Sequence, residues 1–550
     1  MARKPQLVSG FTLGGEQAEA DPLLEEAFLE SSDFRVMDSQ SDPRCFIVGR
    51  TGSGKSAALQ RLEEIHPDHL IRINPEDLSL PYITDLQVIR HLDSLDVNLD
   101  LFWIALWKHV LLVEVIRHRY KVNSQAAKQK FLESLRERLS RDKSKQAALD
   151  YLEDFEGRFW CETEERVREI TDKFSQRIAG QAGADLTVQT VGLKAGAKAG
   201  SNSEAQSSTE SRVEQADKYQ RIVNETQLGK LNKMLAVLDE DILDHQHYTY
   251  VAIDDLDRDW VDDRLTNDLI RCLFRTVLDL KRVKNLKVLV ALRTNIFQEL
   301  DFGRRGGGQE EKFRSLVLQV RWTRPNLVDM LDERVRVASP AIGLQADGIA
   351  ALLPHPNKTR GNPVDYIIDR TLLRPRDAIA FANECMAVGT GKNRLTWTDI
   401  HTAERSYSAN RLLALRDEWK PTYPGIDQVL ALFRGYPANM TKGDLQTRLD
   451  EAMLLSIEPS FPGVVWLTGL SSGMWSGSGV SWFELYQPIA NVLYAMGFIG
   501  CQRSYGSPPV YSSADPLFME SASSVEATTY FAIHPAFHSA LDISLTRSPA

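Results

Sequence analysis

Residues 45–56 have the types and spacing of a phosphate-binding loop. An apolar run, residues 45–48, leads into Gly-Arg-Thr-Gly-Ser-Gly-Lys-Ser, which fits the Walker A pattern G-x-x-x-x-G-K-S. Glycines at these positions let the backbone turn tightly, so that successive N–H groups point at phosphate oxygens. The pattern places Lys55 on the β- and γ-phosphates and the Ser56 hydroxyl on Mg²⁺. Residues 57–64 predict a helix whose positive N-terminal end faces the phosphates. The residues predicted to bind the nucleotide are Gly49, Arg50, Thr51, Gly52, Ser53, Gly54, Lys55, Ser56 and Ala57.

An acidic segment after a second apolar run contains the predicted metal ligand and the predicted general base. Residues 248–253 are β-branched and aromatic, and they end in Asp254 and Asp255. Ligands bind beyond the carboxyl ends of buried parallel strands. Asp254 is therefore expected to hold Mg²⁺, directly or through water, and Asp255 to orient or deprotonate the attacking water. A lone acidic run usually lies in a solvated loop. The prediction depends on its pairing with the Walker A pattern, and ATP with Mg²⁺ is the expected cofactor pair.

The strands and helices needed to position these residues alternate along the chain, which predicts a parallel α/β sheet of the P-loop type. Further strands are predicted at residues 69–74, 285–292 and 315–320. We expect an N-terminal leader with a short helix at 22–29, an ATPase core in two parts, a helical and Gly/Ser-rich insertion, a helical lid and a C-terminal winged-helix-like region. Their predicted bounds are 1–40, 41–124 with 216–340, 125–215, 341–410 and 411–550.

Composition limits the class of protein. The chain has 550 residues and a formal net charge of −10, with 25% charged and 43% hydrophobic residues, as in ordinary globular proteins. Its five cysteines form no C-x-x-C pair, which argues against a cysteine zinc site and fits a reducing compartment. No secretion signal is predicted. The most apolar stretch, residues 99–116, contains charges and is expected to be a buried helix. The predicted location is cytoplasmic.

Taken in order, these motifs resemble the KAP-type and STAND-class P-loop ATPases, bacterial relatives of the AAA+ group. The resemblance covers residues 12 to about 390. It implies that Arg293 senses the γ-phosphate and acts in catalysis with Lys55 and Asp255, and that Thr294 or Asn295 is the polar sensor. Arg374 or Arg376, in the sequence Leu-Arg-Pro-Arg-Asp, matches the sensor arginine of the lid. Membrane-anchored KAP proteins have transmembrane helices where this chain has a charged insertion, so no membrane partner is expected.

The C-terminal region predicts a helix followed by two strands, as in a winged helix. The helix has apolar residues on one face of 485–496, and the strands begin near 498 and 528. That helix contains no Lys or Arg from residue 486 to residue 496, and phosphate contacts need cations, which favours protein docking over DNA binding. A strand is also predicted at 464–467. Residues 469–473 fit G-x-S-x-G, but a loop follows where a nucleophile elbow requires a helix, so the match is attributed to chance.

Two functions of different classes follow from the sequence. The first is a slowly hydrolysing ATP switch that controls assembly or a protein partner, for which the resemblance implies a role in bacterial antiviral defence. The alternative is a DNA-acting ATPase of the initiator or loader type. A P-loop kinase is a third, weaker hypothesis, because the long insertion does not suit it. We expect a homo-oligomer in which Arg304 or Arg305 of a neighbouring subunit reaches the γ-phosphate.

Overall fold

A computed structural model describes most of the chain. The described residues are 6–74, 87–120, 228–256, 263–300, 313–473 and 481–544, with short pieces at 133–134, 136–137, 176, 216–217 and 219–220. They form two compact units. The five-stranded unit comprises Ser32–Arg50 and Ala58–Val320, and the C-terminal unit comprises Met1–Ser31, Thr51–Ala57 and Arg321–Ala550.

The five-stranded unit is built on a parallel sheet with the spatial order β2-β3-β4-β1-β5. Strands β1, β3 and β4 consist almost wholly of buried residues, because helices cover both faces of a parallel sheet and leave no face for polar alternation. The five strands are Phe46–Gly49 (β1), Leu70–Ile73 (β2), Thr249–Ile253 (β3), Leu286–Arg293 (β4) and Val317–Gln319 (β5). The predicted P-loop-type α/β sheet is confirmed, with the first glycine of the Walker A pattern as the last residue of β1.

Seven described helices belong to this unit or link it to the other: Ser32–Asp38 (α1), Lys55–Ile65 (α2), Gln87–Ser94 (α3), Asp100–Tyr120 (α4), Leu228–Val237 (α5), Asp263–Leu280 (α6) and Thr294–Glu299 (α7). The core includes the stacked rings of Phe46 and Phe274, whose centroids are 3.6 Å apart. Trp107 of α4 is buried and donates from its indole N–H to the Leu269 carbonyl at 3.0 Å. Asp100, also buried, is neutralised by a bidentate pair with Arg271.

The stretch at 99–116 is therefore a buried helix, as its charges indicated. Among the described residues, no helix is long and apolar enough to cross a membrane.

The C-terminal unit has two separate hydrophobic cores. The first packs four helices against the N-terminal segment: Arg324–Ala338 (α8), Pro363–Ile368 (α9), Pro375–Val388 (α10) and Trp397–Trp419 (α11). Helix α10 begins at a proline directly after Arg374, because a proline at the first helical position costs no hydrogen bond. Thr396 and Asp399 form a capping box at the start of α11. The predicted leader helix at 22–29 is wrong, since residues 22–27 form turns and the first α-helix starts at Ser32.

The second core has winged-helix topology. Three antiparallel strands in the order β6-β8-β7 pack against helices that alternate with them along the chain. The elements are Ile426–Ala431 (α12), Asn439–Thr441 (β6), Lys442–Leu455 (α13), Val464–Leu470 (α14), Trp482–Ala495 (α15), Ile499–Gln502 (β7), Ala522–Glu526 (α16) and Tyr530–Ile533 (β8).

The strand predicted at 464–467 is wrong. Those residues begin helix α14, whose Leu467 is buried in the second core. β-branched residues favour strands only weakly, and packing of Leu467 and its neighbours decides the conformation. The G-x-S-x-G match consequently starts inside a helix rather than after a strand, which excludes a nucleophile elbow.

Candidate functional site

In the five-stranded unit, the predicted site residues lie at one edge of the sheet. Gly49 ends β1 and pairs in register with Arg293, the last residue of β4. Asp254 directly follows Ile253, the last residue of β3. Because every strand is parallel, these carboxyl ends meet at the same edge, where α/β proteins bind ligands.

Asp254 is buried, with 5% of its surface exposed. Its Oδ1 accepts the N–H of Asp255 at 3.0 Å, and Asp255 has a φ of +58°. A non-glycine residue in this left-handed region is uncommon and often marks a functional position. The hydrogen bond therefore holds the Asp254 carboxylate against the backbone of the next residue, directly after the strand end.

Arg72, on the neighbouring strand β2, provides positive charge at this edge. Its guanidinium lies 3.8 Å from the Asp254 carboxylate and 3.6 Å from that of Glu63. The sequence analysis did not identify this residue. The one indication in the sequence was that Arg72 is a charged residue within an otherwise apolar strand.

The phosphate loop, residues 49–56, turns through two glycines that no other residue replaces easily. Gly52 and Gly54 have φ angles of +76° and +89°. A Cβ added at Gly52 would lie 2.9 Å from the Cβ of Arg376, closer than real atoms approach. Lys55 is the first residue of α2, so the loop joins a strand end to a helix start as the Walker A pattern requires.

Within the C-terminal unit, three successive carbonyls of this loop accept hydrogen bonds. Arg374 Nη1 donates to the Thr51 carbonyl at 3.1 Å. The N–H of Arg376 donates to the Gly52 carbonyl at 3.4 Å, and the Trp322 indole donates to the Ser53 carbonyl at 2.9 Å. The sequence predicted a role for both arginines but not for Trp322, which stands three residues before Pro325 and belongs to no motif.

Arg374 is also the centre of a buried ionic network. Its Nε donates to Asp377 at 2.9 Å and its Nη1 to Glu418 at 3.1 Å, while Arg411 donates to Asp377 at 2.9 Å. Burial alone would lower the pKa of Arg374, but the carboxylates of Asp377 and Glu418 raise it above its ordinary value. Burial would raise the pKa of Asp377, yet Arg374 and Arg411 lower it to about 2. The network therefore stays charged at neutral pH.

Arg376 has a different environment. Its Nε donates to the Glu16 carbonyl at 3.1 Å. Burial and the neighbouring charge of Arg374 lower the pKa of Arg376 below its ordinary value. An anion bound beside Arg376 would raise this pKa again, because a nearby opposite charge favours the ionised form.

Two hydroxyls of the phosphate loop fit a triphosphate. Thr51 Oγ1 and Ser53 Oγ are enclosed without a hydrogen-bond partner from the described part of the chain. Buried polar atoms are usually paired, so unpaired ones in a glycine-rich turn at a helix N-terminus suit a phosphate group. Ser56 has a hydroxyl and Asp254 a carboxylate, and oxygen groups of both kinds are ligands that Mg²⁺ prefers. Across the described ranges, no group of three or more His, Cys, Asp or Glu residues is arranged to hold a metal by itself.

Several predicted features lie outside the described residues: Arg304 and Arg305, together with nearly all of the insertion at 125–215. Thr294 and Asn295, the candidate polar sensors, are the first two residues of α7, directly after Arg293.

Comparison with known proteins gives one family match and two broader likenesses. A family model described as the FunZ-associated C-terminal helical domain matches residues 325–416, which correspond to helices α8 to α11. The chain is 23% identical over 513 residues to the putative transposon gamma-delta 80.3 kDa protein of Escherichia coli strain K12. That alignment covers 88% of this chain and 61% of the relative, so the chain spans about three fifths of the relative's length.

Among solved structures, the chain is similar to the Aeropyrum pernix ORC1 protein in complex with DNA. The sequence identity is 13% and the TM-score 0.31, with 93% of this chain and 92% of that chain covered. That TM-score is too low to establish a shared fold.

Proposed function

We propose that the chain binds ATP with Mg²⁺ on the loop at 49–56 and hydrolyses it slowly. The observation that supports this is the strand, loop and helix arrangement around Gly52 and Gly54, with the unpaired hydroxyls of Thr51 and Ser53 inside it. Such a turn at a helix N-terminus presents N–H dipoles and a positive helix end to an anion.

Each predicted site residue has a distinct part in this proposal. Lys55 neutralises charge on the β- and γ-phosphates, and Ser56 and Asp254 hold the metal. Asp255 orients or deprotonates the attacking water, and Arg293 stabilises charge that develops on the γ-phosphate. When bound, Mg²⁺ neutralises phosphate charge during transfer.

Replacing Lys55 tests the site directly. Lys55→Ala should abolish ATP binding and hydrolysis, measured by calorimetry and phosphate release. Lys358→Ala, which changes an exposed lysine of the same unit, is the matched control and should behave like the parent protein. Parental hydrolysis by Lys55→Ala would show that the site is wrongly assigned.

We further propose that the nucleotide state controls assembly or a protein partner, with the winged-helix region as a docking module. Helix α15, which directly precedes β7, is unsuited to a DNA groove. The segment after β7 packs on this helix: Gln487 Nε2 donates to the Met519 carbonyl at 2.8 Å, and Ser512 Oγ donates to the Ala495 carbonyl at 3.1 Å. With no basic residue in its sequence, α15 offers no cations to phosphates, and part of its surface is covered by the segment after β7. We also propose a role in bacterial antiviral defence, which the resemblance to STAND and KAP ATPases implies.

The DNA-acting alternative makes a different prediction. Duplex DNA should then bind with an affinity that falls steeply as salt rises, because released counterions drive such binding. Titration of the full chain with a fluorescent duplex at several salt concentrations separates the two functions. No binding at low salt removes the alternative, whereas a steep salt dependence supports it over docking.

A further inference from the structure

We propose that Trp322 is a positioning residue that turns the amide groups of the phosphate loop toward the phosphates. This inference rests on the proposed function, because it assigns a role at the same nucleotide site. It is based on the hydrogen bond from the Trp322 indole to the Ser53 carbonyl at 2.9 Å. Trp322 matches no part of the Walker A, Walker B or sensor patterns.

The geometry of the peptide group links this carbonyl to a phosphate-binding amide. The peptide bonds of the loop are trans, and in a trans peptide the C=O and the following N–H point in opposite directions. When Trp322 holds the Ser53 carbonyl, the N–H of Gly54 must point away from the indole. In the same way, Arg374 holds the Thr51 carbonyl and directs the N–H of Gly52 away from helix α10.

The amides of Gly52, Ser53 and Gly54 are therefore all fixed in direction before a ligand arrives, since the Gly52 carbonyl is also held, by the N–H of Arg376. Backbone amides of a Walker A loop bind the α- and β-phosphates. A loop of glycines has many accessible conformations, and fixing one of them in advance lowers the ordering cost of binding. Arg374, Arg376 and Trp322 fix the loop by donating to three successive carbonyls, so the amide N–H groups of the loop stay available for phosphates.

Trp322 suits this role for a chemical reason. An indole N–H can only donate, so it selects the carbonyl orientation and cannot accept from the amide. Its ring also lies next to the loop, at 4.0 Å from the position of a Cβ added at Gly54, which is ordinary van der Waals contact. Trp322 is only partly buried. It contributes less to the core than a fully enclosed tryptophan, which makes its replacement a feasible test.

The experiment compares two tryptophan replacements in the full chain. Trp322→Phe removes the donor and keeps an aromatic ring. Trp397→Phe is the matched control, because Trp397 belongs to the same unit and its buried indole N–H has no hydrogen-bond partner among the residues that the structure describes. Calorimetry gives the dissociation constants of ADP and ATP, and thermal unfolding without nucleotide measures the fold.

We expect Trp322→Phe to weaken ADP and ATP binding roughly three- to tenfold, which corresponds to the loss of one hydrogen bond. Both nucleotides should weaken alike, because they share the phosphates that the loop amides bind. Trp397→Phe should bind as the parent does, and it should lose at least as much thermal stability as Trp322→Phe, because its indole is buried. Trp322→His, which keeps a ring N–H, should recover part of the affinity. Trp322→Leu, which also lacks a donor, replaces the Phe variant if that variant does not fold.

Two results would overturn the inference. One is parental ADP affinity in Trp322→Phe. The other is a lowered unfolding temperature with unchanged affinity of the folded protein, which would make Trp322 a packing residue. A parent protein that binds neither ADP nor ATP would instead overturn the proposed function, and this inference with it.

Discussion

Gly49 and Arg293 are register partners in the parallel pairing of β1 with β4. The first glycine of the Walker A pattern thus lies beside the last residue of the neighbouring strand. A guanidinium is permanently charged and forks onto phosphate oxygens. The pairing gives the proposed sensing role of Arg293 a structural basis that does not depend on family resemblance.

Replacement of Arg293 should affect turnover more than binding. Arg293→Ala is expected to lower the ATP turnover rate by about 10²-fold or more, as when one donor to developing charge is removed, while the affinity for ADP changes little. Arg293→Lys keeps the charge but loses the fork, and it should recover only part of the rate. If Arg293→Ala hydrolyses ATP at the parental rate, the arginine is a structural residue of the strand end.

Replacing Asp254 and replacing Asp255, the two acidic residues after β3, should have different effects on Mg²⁺ binding. Asp255→Asn is expected to retain MgATP and lose turnover by at least about 10²-fold, since it removes the base and not the metal ligand. Asp254→Asn should also weaken Mg²⁺ binding, measured as the Mg²⁺ concentration that gives half-maximal activity. Equal residual turnover and equal Mg²⁺ dependence in the two variants would contradict these separate roles.

Loss of Asp377 should destabilise the C-terminal unit. Asp377→Asn leaves Arg374 and Arg411 buried with one carboxylate fewer, which is expected to cost about 3 kcal/mol of unfolding free energy at pH 7. Asp369→Asn is the control, because its ion pair with Arg324 is exposed and should contribute less than about 1 kcal/mol. Chemical denaturation of the full chain measures both. Equal stability of the two variants would show that the network contributes nothing.

The carboxyl group of Asp377 should also make the free energy of unfolding depend on pH. Its pKa is lowered from 3.8 to about 2 in the folded protein, so the folded state holds fewer protons than the unfolded state between these values. Its contribution is complete above about pH 4 and is lost as the pH falls toward 2, amounting to about 2 kcal/mol. The difference in unfolding free energy between the parent and Asp377→Asn should therefore shrink over this range. A constant difference would mean that Asp377 does not titrate in this way.

Assembly should depend on nucleotide if the chain is an ATP switch. Light scattering should detect a larger particle with ATP than with ADP. The increase in particle size should be absent in the double variant Arg304→Ala/Arg305→Ala. If one of these arginines reaches the γ-phosphate of a neighbouring subunit, the turnover of this variant should also fall by about 10³-fold. Turnover per subunit that is independent of protein concentration, and unchanged in the double variant, would indicate an ATPase that works as a single chain.

Local patterns predicted the sheet well. All five described parallel strands lie within two residues of their predicted bounds, and the glycine loop and the acidic strand end were predicted from residue types alone, whereas the interest in Arg293 came from the family resemblance. Apolar runs and glycine turns are properties of neighbouring residues, so a sequence displays them directly. Where local preference is weak, as at 464–467 and 22–29, packing decided the conformation and the predictions failed.

The sequence by itself determined that this chain has a Walker A loop, a buried acidic strand end and an α/β fold to hold them, because each depends on residues close together along the chain. Only the tertiary structure decided which distant residues serve them. Arg72 beside Asp254, Trp322 on Ser53, and Arg374 joined to Glu418 and Thr51 are contacts between residues far apart along the chain. Such contacts follow from packing and from the need to pair buried polar groups, and no spacing along the chain encodes them.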